Sequence, residues 1–286
     1  MEIRIGNNAG FCFGVKRAVE GSIAEVSNSN QKVYCLGELV HNNEVINRIR
    51  EAGITIVSSI DEINEENVKL IIRAHGVDKK LYEQAKERNI EIIDFTCPLV
   101  ARIHNIAEKY KNESYYIFLI GNRVHPEIIG TASHCGEHYF IIESEMQIDE
   151  AVNSFLSSNI QNLLVISQTT YSETKFERII QDIRSKLTSS VNLVVKNTIC
   201  NATSIRQKEV QTLSKEVELM IIIGGKNSSN TKKLYELSKE NTNAIMIENA
   251  KELDKVQIKQ YERVGIMAGT STPQDSIDRV VEFLKR

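Results

Sequence analysis

The sequence of 286 residues lacks the features that direct a protein into or across a membrane. Its first residues, MEIRIGNNAG, contain no basic segment followed by an apolar stretch, and no run approaches the roughly 20 apolar residues of a membrane-spanning helix. A net charge of -3 with 26% charged residues gives no excess of positive charge for nucleic acid or an anionic membrane surface. We therefore expect a cytoplasmic protein without nucleic-acid or membrane partners, in which local groups bind any anionic ligand.

Signatures of nucleotide-binding enzymes are also missing. Residues 6–14, GNNAGFCFG, do not fit the Gly-x-Gly-x-x-Gly spacing of dinucleotide-binding loops. Residues 224–230, GGKNSSN, do not fit the Walker A spacing of a phosphate loop, although the glycines permit close backbone approach to a phosphate. A redox enzyme of this sequence would therefore receive its electrons from another protein.

Strand-like and helix-like segments alternate along the whole chain. The clearest apolar runs of strand length are VKLII (68–72), YYIFLI (115–120), NLLVIS (162–167), LMIII (219–223) and RVGIMA (263–268). Apolar residues recur at helical spacing between such runs, as in residues 99–110, 176–187 and 277–284. This alternation predicts an α/β fold with mainly parallel sheets and right-handed crossover connections.

The length lies above the size at which a single core usually stops growing, and the many strand candidates favour several small sheets over one large sheet. We predict three small α/β domains, formed by residues 1–96, 97–196 and 197–286, around a common centre to which the N-terminal strand and the Cys12 loop lead. No low-complexity linker or block of charge separates these domains, so we expect them to pack tightly.

Three of the five cysteines lie in equivalent places, where a strand pattern ends and a helix pattern begins. Residues 3–5 precede Cys12, residues 91–95 precede Cys97, and residues 193–195 precede Cys200. The positive end of a helix dipole favours the thiolate form that metals bind. Three thiolates suit a cubane cluster with one open iron, but they also suit a zinc ion, and small buried core residues are a third interpretation.

The two remaining cysteines differ from these three. Cys35 lies in the strand-like segment VYCLG, which predicts a position in the core. Cys135 has His134 and His138 as neighbours, but no second pair of ligands accompanies them, so a structural or surface role is favoured.

Polar side chains follow the apolar runs, at the strand ends where open α/β sheets bind ligands. Three of them are the histidines His41, His75 and His125, and Glu127 lies directly beyond the last. Hydroxyl and amide side chains occupy the other strand ends, at Thr169, Thr170, Ser228, Ser229, Asn230 and Ser271. The loop GTSTP (269–273) predicts a helix cap with proline at the first helical position and free N–H groups for an anion. Together these groups predict a diphosphate site.

Nine segments, in order along nearly the whole chain, resemble one known family. They are AGFCFGVKRAVE, VHNNEV, RAHGV, DFTCPLVARIH, HPEIIGT, SQTTYS, NTICNATSIRQ, GGKNSSNT and AGTSTP. On these segments the sequence is identified as a member of the 4-hydroxy-3-methylbut-2-enyl diphosphate reductase family, also called LytB. The resemblance implies an iron–sulfur reductase of the non-mevalonate isoprenoid pathway, which removes an allylic hydroxyl by two-electron, two-proton reduction to give isopentenyl and dimethylallyl diphosphates.

The resemblance also implies roles for the candidate residues. Cys12, Cys97 and Cys200 would hold one 4Fe-4S cluster with an open iron, and a ferredoxin or flavodoxin type of protein would supply electrons. Glu127, with Thr169 and His125 nearby, would supply the proton. The diphosphate would be held by His41, His75, Ser228, Ser229, Asn230 and Ser271, with His125, Thr169 and Thr170 lining the pocket. Two departures from the family pattern affect only the rim: Thr270 stands where alanine is usual, and Asn122 and Arg123 replace the usual residues before His-Pro-Glu.

Two other functions fit the same residues. A zinc hydrolase of phosphate esters would bind its metal through the three thiolates and use Glu127 as a base. A redox sensor would use a labile cluster without turnover, but it leaves the Ser-Ser-Asn loop without a purpose.

Overall fold

The computed structural model describes residues 1–286, apart from the side chain of Lys255. The strands are β1 (Glu2–Ile5), β2 (Val33–Leu36), β3 (Thr55–Val57), β4 (Lys69–Ile72), β5 (Glu91–Asp94), β6 (Tyr116–Ile120), β7 (Tyr139–Ile142), β8 (Asn162–Ser167), β9 (Asn192–Val195), β10 (Leu219–Ile223), β11 (Asn243–Ile247) and β12 (Arg263–Ala268). The α-helices are α1 (Phe13–Ser27), α2 (Asn43–Glu51), α3 (Lys80–Glu87), α4 (Pro98–Asn112), α5 (Pro126–Ala132), α6 (Ile148–Ser157), α7 (Glu173–Lys186), α8 (Asn201–Leu213), α9 (Ser229–Lys239) and α10 (Gln274–Leu284). Strand and helix alternate almost throughout.

The chain divides into two compact units, and the first combines Met1–Ser58 with Asn201–Arg286. Its four-stranded parallel sheet has the order β1-β12-β10-β11. In the centre of this sheet Ile221 of β10 pairs with Ile266 of β12 and with Ile245 of β11. Strands β2 and β3 also belong to this unit and pair in parallel. The carboxyl ends of β10 and β12 therefore lie side by side, so the loops that follow them are neighbours.

The second unit is formed by Ser59–Cys200. Its four-stranded parallel sheet has the order β7-β6-β8-β9, and β4 pairs in parallel with β5 in the same unit. Phe118 and Val165 point into a core with α6 and α7, whereas Ile117 and Leu164 point into a core with α4 and α5. Because helices cover both faces, β6 is buried at every residue and reads as a continuous apolar run.

The predicted α/β fold class with mainly parallel sheets is confirmed, since the strands of each unit pair in parallel and helices alternate with them. All five quoted apolar runs contain strands, and the three quoted helical patterns correspond to α4, α7 and α10. The predicted domain boundaries, after residues 96 and 196, stay a prediction. None of the helices in the described residues has the length and apolar character needed to cross a membrane.

One local prediction differs from the structure at the start of α10. Pro273 is the N-cap residue and α10 begins at Gln274, whereas the sequence pattern placed the proline at the first helical position. The hydroxyl of Thr272 donates to the carbonyl of Ile223 at 2.9 Å, so it anchors the loop to β10 and does not cap the helix. The backbone N–H groups of this helix start are left without a side-chain cap.

Candidate functional site

Each of the three candidate cysteines lies directly before a helix, as predicted. Cys12 is the N-cap of α1, Cys97 is the N-cap of α4, and Cys200 immediately precedes α8. All three are partly exposed, whereas Cys35 and Cys135 are buried in the interior with 1% of their surface exposed. Burial raises the pKa of the Cys135 thiol to about 12, which makes it an inert core residue.

The backbone of each candidate cysteine is fixed by a hydrogen bond to a loop that carries another candidate residue. The N–H of Cys12 donates to the carbonyl of Thr270 at 3.2 Å, next to Ser271. The N–H of Cys97 donates to Ala74, next to His75, at 3.0 Å, and that of Cys200 donates to Thr169 at 2.9 Å. Each bond therefore holds a cysteine next to a polar loop of its own unit.

The thiol of Cys97 is less acidic than its position at a helix N-terminus predicts. Burial raises the pKa of its thiol above the ordinary value, and the backbone N–H groups of Leu99 and Val100 oppose this only in part. The charges of Cys200 and Glu127 raise the pKa further. The helix N-terminus therefore does favour the thiolate, but burial outweighs it. A bound cation would offset these like charges, which is the electrostatic requirement of a metal site.

The carboxyl group of Glu127 lies in the first turn of α5 and is 2% exposed. One carboxylate oxygen, Oε1, accepts the backbone N–H of Thr169 at 2.6 Å, and Oε2 accepts its Oγ1 hydroxyl at 2.6 Å. Burial raises the pKa of Glu127 to about 7, although both hydrogen bonds from Thr169 lower it. A carboxyl with this pKa exchanges a proton near neutral pH, as a general acid requires.

Two histidines of the second unit, His125 and His75, contact each other, and His125 also contacts the backbone of Glu127. His125 is the N-cap of α5, and its Nδ1 accepts the backbone N–H of Glu127 at 3.2 Å. Because Nδ1 accepts, the neutral ring carries its proton on Nε2. The ring of His75 packs edge-on against that of His125, with 5.3 Å between centroids and an interplanar angle of 83°. The loop after β4 carries His75 and the loop between β6 and α5 carries His125, so these two loops bring the two imidazoles together.

Thr169 connects the groups of the second unit. Its N–H and hydroxyl hold Glu127, while its carbonyl accepts the N–H of Cys200. Thr170 lies on the same turn, and its hydroxyl accepts from Gln168 Nε2 at 2.9 Å. We call the candidate residues of this unit the acid cluster: His75, Cys97, His125, Glu127, Thr169 and Cys200. The structure therefore links a candidate proton donor, Glu127, to a candidate metal ligand, Cys200, through Thr169.

The candidate residues of the first unit lie on three loops and in the first turn of α9, and we call them the loop cluster: His41, Ser228, Ser229, Asn230 and Ser271. The His41 loop contacts the Ser228 loop at Gly225, where a Cβ atom would overlap the carbonyl oxygen of His41. Ser228 is the N-cap of α9, its Oγ accepts the N–H of Thr231 at 3.3 Å, and Ser229 is the first residue of that helix. The loops meet at helix N-termini, where N–H groups suit an anion.

Several buried polar atoms of this loop cluster lack a partner within the described part of the chain. Among the residues that the structure describes, the amide Nδ2 and Oδ1 of Asn230, the hydroxyl of Ser271 and the hydroxyl of Thr231 have no hydrogen-bond partner. Asn230 and Ser271 are 2% and 5% exposed. An unsatisfied buried polar group costs about 1–3 kcal/mol, so a polar ligand that bonds to these groups would remove that cost, and they are candidates for ligand binding. Thr231, which the sequence pattern did not single out, lies in the same GGKNSSNT segment and is fully buried.

Comparisons with known proteins agree along the whole chain. The family model described as LytB protein matches residues 3–285. The 4-hydroxy-3-methylbut-2-enyl diphosphate reductase of Clostridioides difficile (strain 630) is 40% identical over 286 residues, which is 100% of this chain and 99% of that protein.

Two solved structures are also similar. One is of (E)-4-hydroxy-3-methyl-but-2-enyl diphosphate reductase, described as the terminal enzyme of the non-mevalonate pathway; its TM-score is 0.72 at 38% identity, covering 100% of this chain and 99% of that one. The other is of the E-1-hydroxy-2-methyl-but-2-enyl-4-diphosphate reductase from Plasmodium falciparum. Its TM-score is 0.91 at 28% identity, covering 100% of this chain and 88% of that one.

Proposed function

This chain belongs to the LytB family of 4-hydroxy-3-methylbut-2-enyl diphosphate reductases, and we propose that it reduces (E)-4-hydroxy-3-methylbut-2-enyl diphosphate to isopentenyl and dimethylallyl diphosphates. The chain is thus an oxidoreductase of isoprenoid biosynthesis. The observation that carries the proposal is the buried Glu127, held by Thr169 beside candidate cluster ligands, in a chain that matches these reductases from end to end. A cytoplasmic location stays a prediction.

The cofactor of the proposal is one 4Fe-4S cluster with Cys12, Cys97 and Cys200 as its protein ligands and one open iron. The residues fit such a group, because three partly exposed soft donors lie at helix N-termini while the other two cysteines are buried. The negative charge of Cys200 adds to the effect of burial in raising the pKa of Cys97, and a bound cation would offset this repulsion. When bound, the cluster supplies electrons and a Lewis acid for the C–O bond.

The chain's own residues supply binding and protons. Asn230 and Ser271, with the N–H groups of their loops, bind the diphosphate oxygens. Glu127 in its acid form donates a proton to the leaving hydroxyl, so that the C–O bond breaks and water departs. Two electrons, from a ferredoxin or flavodoxin type of donor, and a second proton on the carbon skeleton complete the reduction. Burial of Glu127 keeps bulk water away from this proton transfer.

The full-length match to named reductases favours this function over a zinc hydrolase or a redox sensor. Protein purified without oxygen should contain iron and acid-labile sulfide in equal amounts, and it should convert the allylic diphosphate when given a reduced donor. Zinc without sulfide would support the hydrolase. A cluster without turnover would support the sensor.

Thr169→Val tests the coupling between Thr169 and Glu127 through the pH dependence of turnover. The variant loses the hydroxyl bond that lowers the pKa of Glu127 but keeps the backbone bond. The pKa should therefore rise further above about 7, and the acid form should persist to higher pH. We expect the fall of kcat with increasing pH to move upward by roughly half to one pH unit, the value of one hydrogen bond.

Thr170→Val is the matched control for this shift, because its hydroxyl bonds to Gln168 and not to Glu127. Its pH profile should keep the wild-type midpoint. An unmoved or lowered midpoint in Thr169→Val would show that another group limits turnover at high pH.

A further inference from the structure

Two helices of the first unit, α2 and α10, are joined near their first residues by a network of four charged side chains. Helix α2 follows the His41 loop, and helix α10 follows the Ser271 loop. Glu44 and Asp275 lie in the first turns of these helices, and Arg48 and Arg279 lie one turn later. We call these four residues the ion-pair ring.

Each carboxylate of the ring binds both guanidinium groups. Arg48 Nη2 lies 2.6 Å from Glu44 Oε1, and Arg279 Nη1 lies 2.9 Å from Asp275 Oδ2, each within its own helix. The cross pairs, Arg48 with Asp275 and Arg279 with Glu44, join the two helices. The hydroxyl of the buried Ser276 donates to Glu44 Oε2 at 2.8 Å, so Glu44 makes three bonds. The ring fixes the first turn of α2 against that of α10.

A further acidic side chain outside the ring, Glu248, also binds the start of α2. Its Oε2 accepts from the side chain of Asn43, the first residue of α2, at 3.0 Å. Its Oε1 accepts the backbone N–H of Lys226, in the Ser228 loop, at 2.9 Å. Glu252 supports this bridge, because its Oε1 accepts the N–H of Glu248 at 2.8 Å. The start of α2 is therefore held from two directions, by Glu44 and by Glu248.

We propose that Glu44 and Glu248 are positioning residues that align the His41 loop with the Ser271 and Ser228 loops for diphosphate binding. The proposal rests on the proposed function, since it assigns the diphosphate to the loop cluster. Neither carboxylate is suited to contact the substrate, because both would repel an anion. Their contribution is to hold N–H groups and hydroxyls of three loops at fixed separations, which lowers the ordering cost of binding.

The direction in which diphosphate affinity changes when the carboxylate is removed distinguishes a positioning role from a purely electrostatic one. A carboxylate near an anion site lowers anion affinity, so removal of its charge alone predicts tighter binding of diphosphate. Removal of a positioning bridge predicts weaker binding, because the loops then have to be ordered by the ligand. An isolated pair of this exposure would contribute little, but a closed network of four charges is more rigid than its separate pairs.

The test uses the cluster-containing enzyme under anaerobic conditions, with inorganic pyrophosphate as the probe of the diphosphate site. Glu44→Ala and Glu248→Ala should each weaken pyrophosphate binding roughly threefold to tenfold and raise KM for the allylic diphosphate by a similar factor. The value of kcat should change by less than about twofold, because the acid cluster is untouched. Glu44→Gln and Glu248→Gln keep an acceptor oxygen, so they should recover part of the loss.

Glu218→Ala is the matched control. Glu218 pairs with Arg263 at 3.3 Å in the same unit, but it lies at the amino ends of β10 and β12, opposite the loop cluster. The Glu218→Ala substitution removes one negative charge, as Glu44→Ala and Glu248→Ala do, and it should leave pyrophosphate affinity unchanged. Unchanged or tighter binding in both folded alanine variants would overturn the proposal. Failure of the wild-type enzyme to reduce the allylic diphosphate would instead overturn the proposed function, because pyrophosphate binding is measured separately.

Discussion

Glu127→Gln is expected to lower kcat by about a hundredfold to ten-thousandfold, which is the usual contribution of a positioned general acid. Glutamine has nearly the same shape as the carboxyl group: its amide oxygen can still accept the backbone N–H of Thr169, and its NH2 group can donate to the hydroxyl oxygen, but it has no acidic proton to give. The carboxyl is 2% exposed, so bulk water is poorly placed to substitute for it. The leaving hydroxyl would then depart without protonation.

Single-turnover and steady-state kinetics under anaerobic conditions measure this effect, and the cluster absorption and pyrophosphate affinity should stay at wild-type levels. Glu150→Gln, at an exposed position of α6, makes the same chemical change away from the site and should have normal turnover. Near-normal kcat in Glu127→Gln would remove Glu127 from the role of proton donor.

The free energy of unfolding of the Glu127→Gln variant, measured as a function of pH, provides a second check on this residue. Burial raises the pKa of Glu127 from an ordinary 4.5 to about 7, so the folded protein favours the protonated form. The stabilisation from this group is fully present below pH 4.5 and is lost as the pH rises through about 7. Glutamine stays uncharged, so the variant should lose less stability than the wild type between about pH 4.5 and 7.

The sequence predicted where the candidate residues would lie because strand ends follow from simple periodicity. Apolar runs of strand length identify β4, β8 and β10, and parallel strands bring their carboxyl ends to one edge of a sheet. His75, Thr169 and Ser228 come directly after these strands, so their placement in polar loops needs no three-dimensional information. The positions of Cys12 and Cys97 at helix N-termini follow in the same way.

Contacts between residues distant in sequence were not predictable by that reasoning. The bonds from Thr169 to Glu127 cross 42 positions, and the pairing of Arg279 with Glu44 crosses 235. No periodic pattern encodes which loops meet, so neither the ion-pair ring nor the elevated pKa of Glu127 could be inferred. The effect of burial on Cys97 was missed for the same reason, because the helix dipole is visible in a sequence and desolvation is not.

Cys200→Ser is expected to remove most of the iron and sulfide and to lower turnover at least about a hundredfold, since even changes around a metal ligand cost up to that factor. Serine keeps the backbone bond from residue 200 to Thr169, so the loop should stay in place while the soft sulfur donor is replaced by a hard oxygen. Loss of the visible absorption of the cluster, with an unchanged far-ultraviolet spectrum, would show that the effect is on the cofactor and not on the fold.

Cys135→Ala is the matched control for Cys200→Ser, because it removes a thiol from the same unit at a position that is 1% exposed and packed in the core. It should cost some stability and keep the cluster. The two substitutions are expected to separate the two functions: Glu127→Gln should keep the cluster and lose proton delivery, whereas Cys200→Ser should lose the cluster while Glu127 remains held by Thr169. An intact cluster in Cys200→Ser would show that this thiol is not a ligand, and the three-cysteine assignment would have to be abandoned.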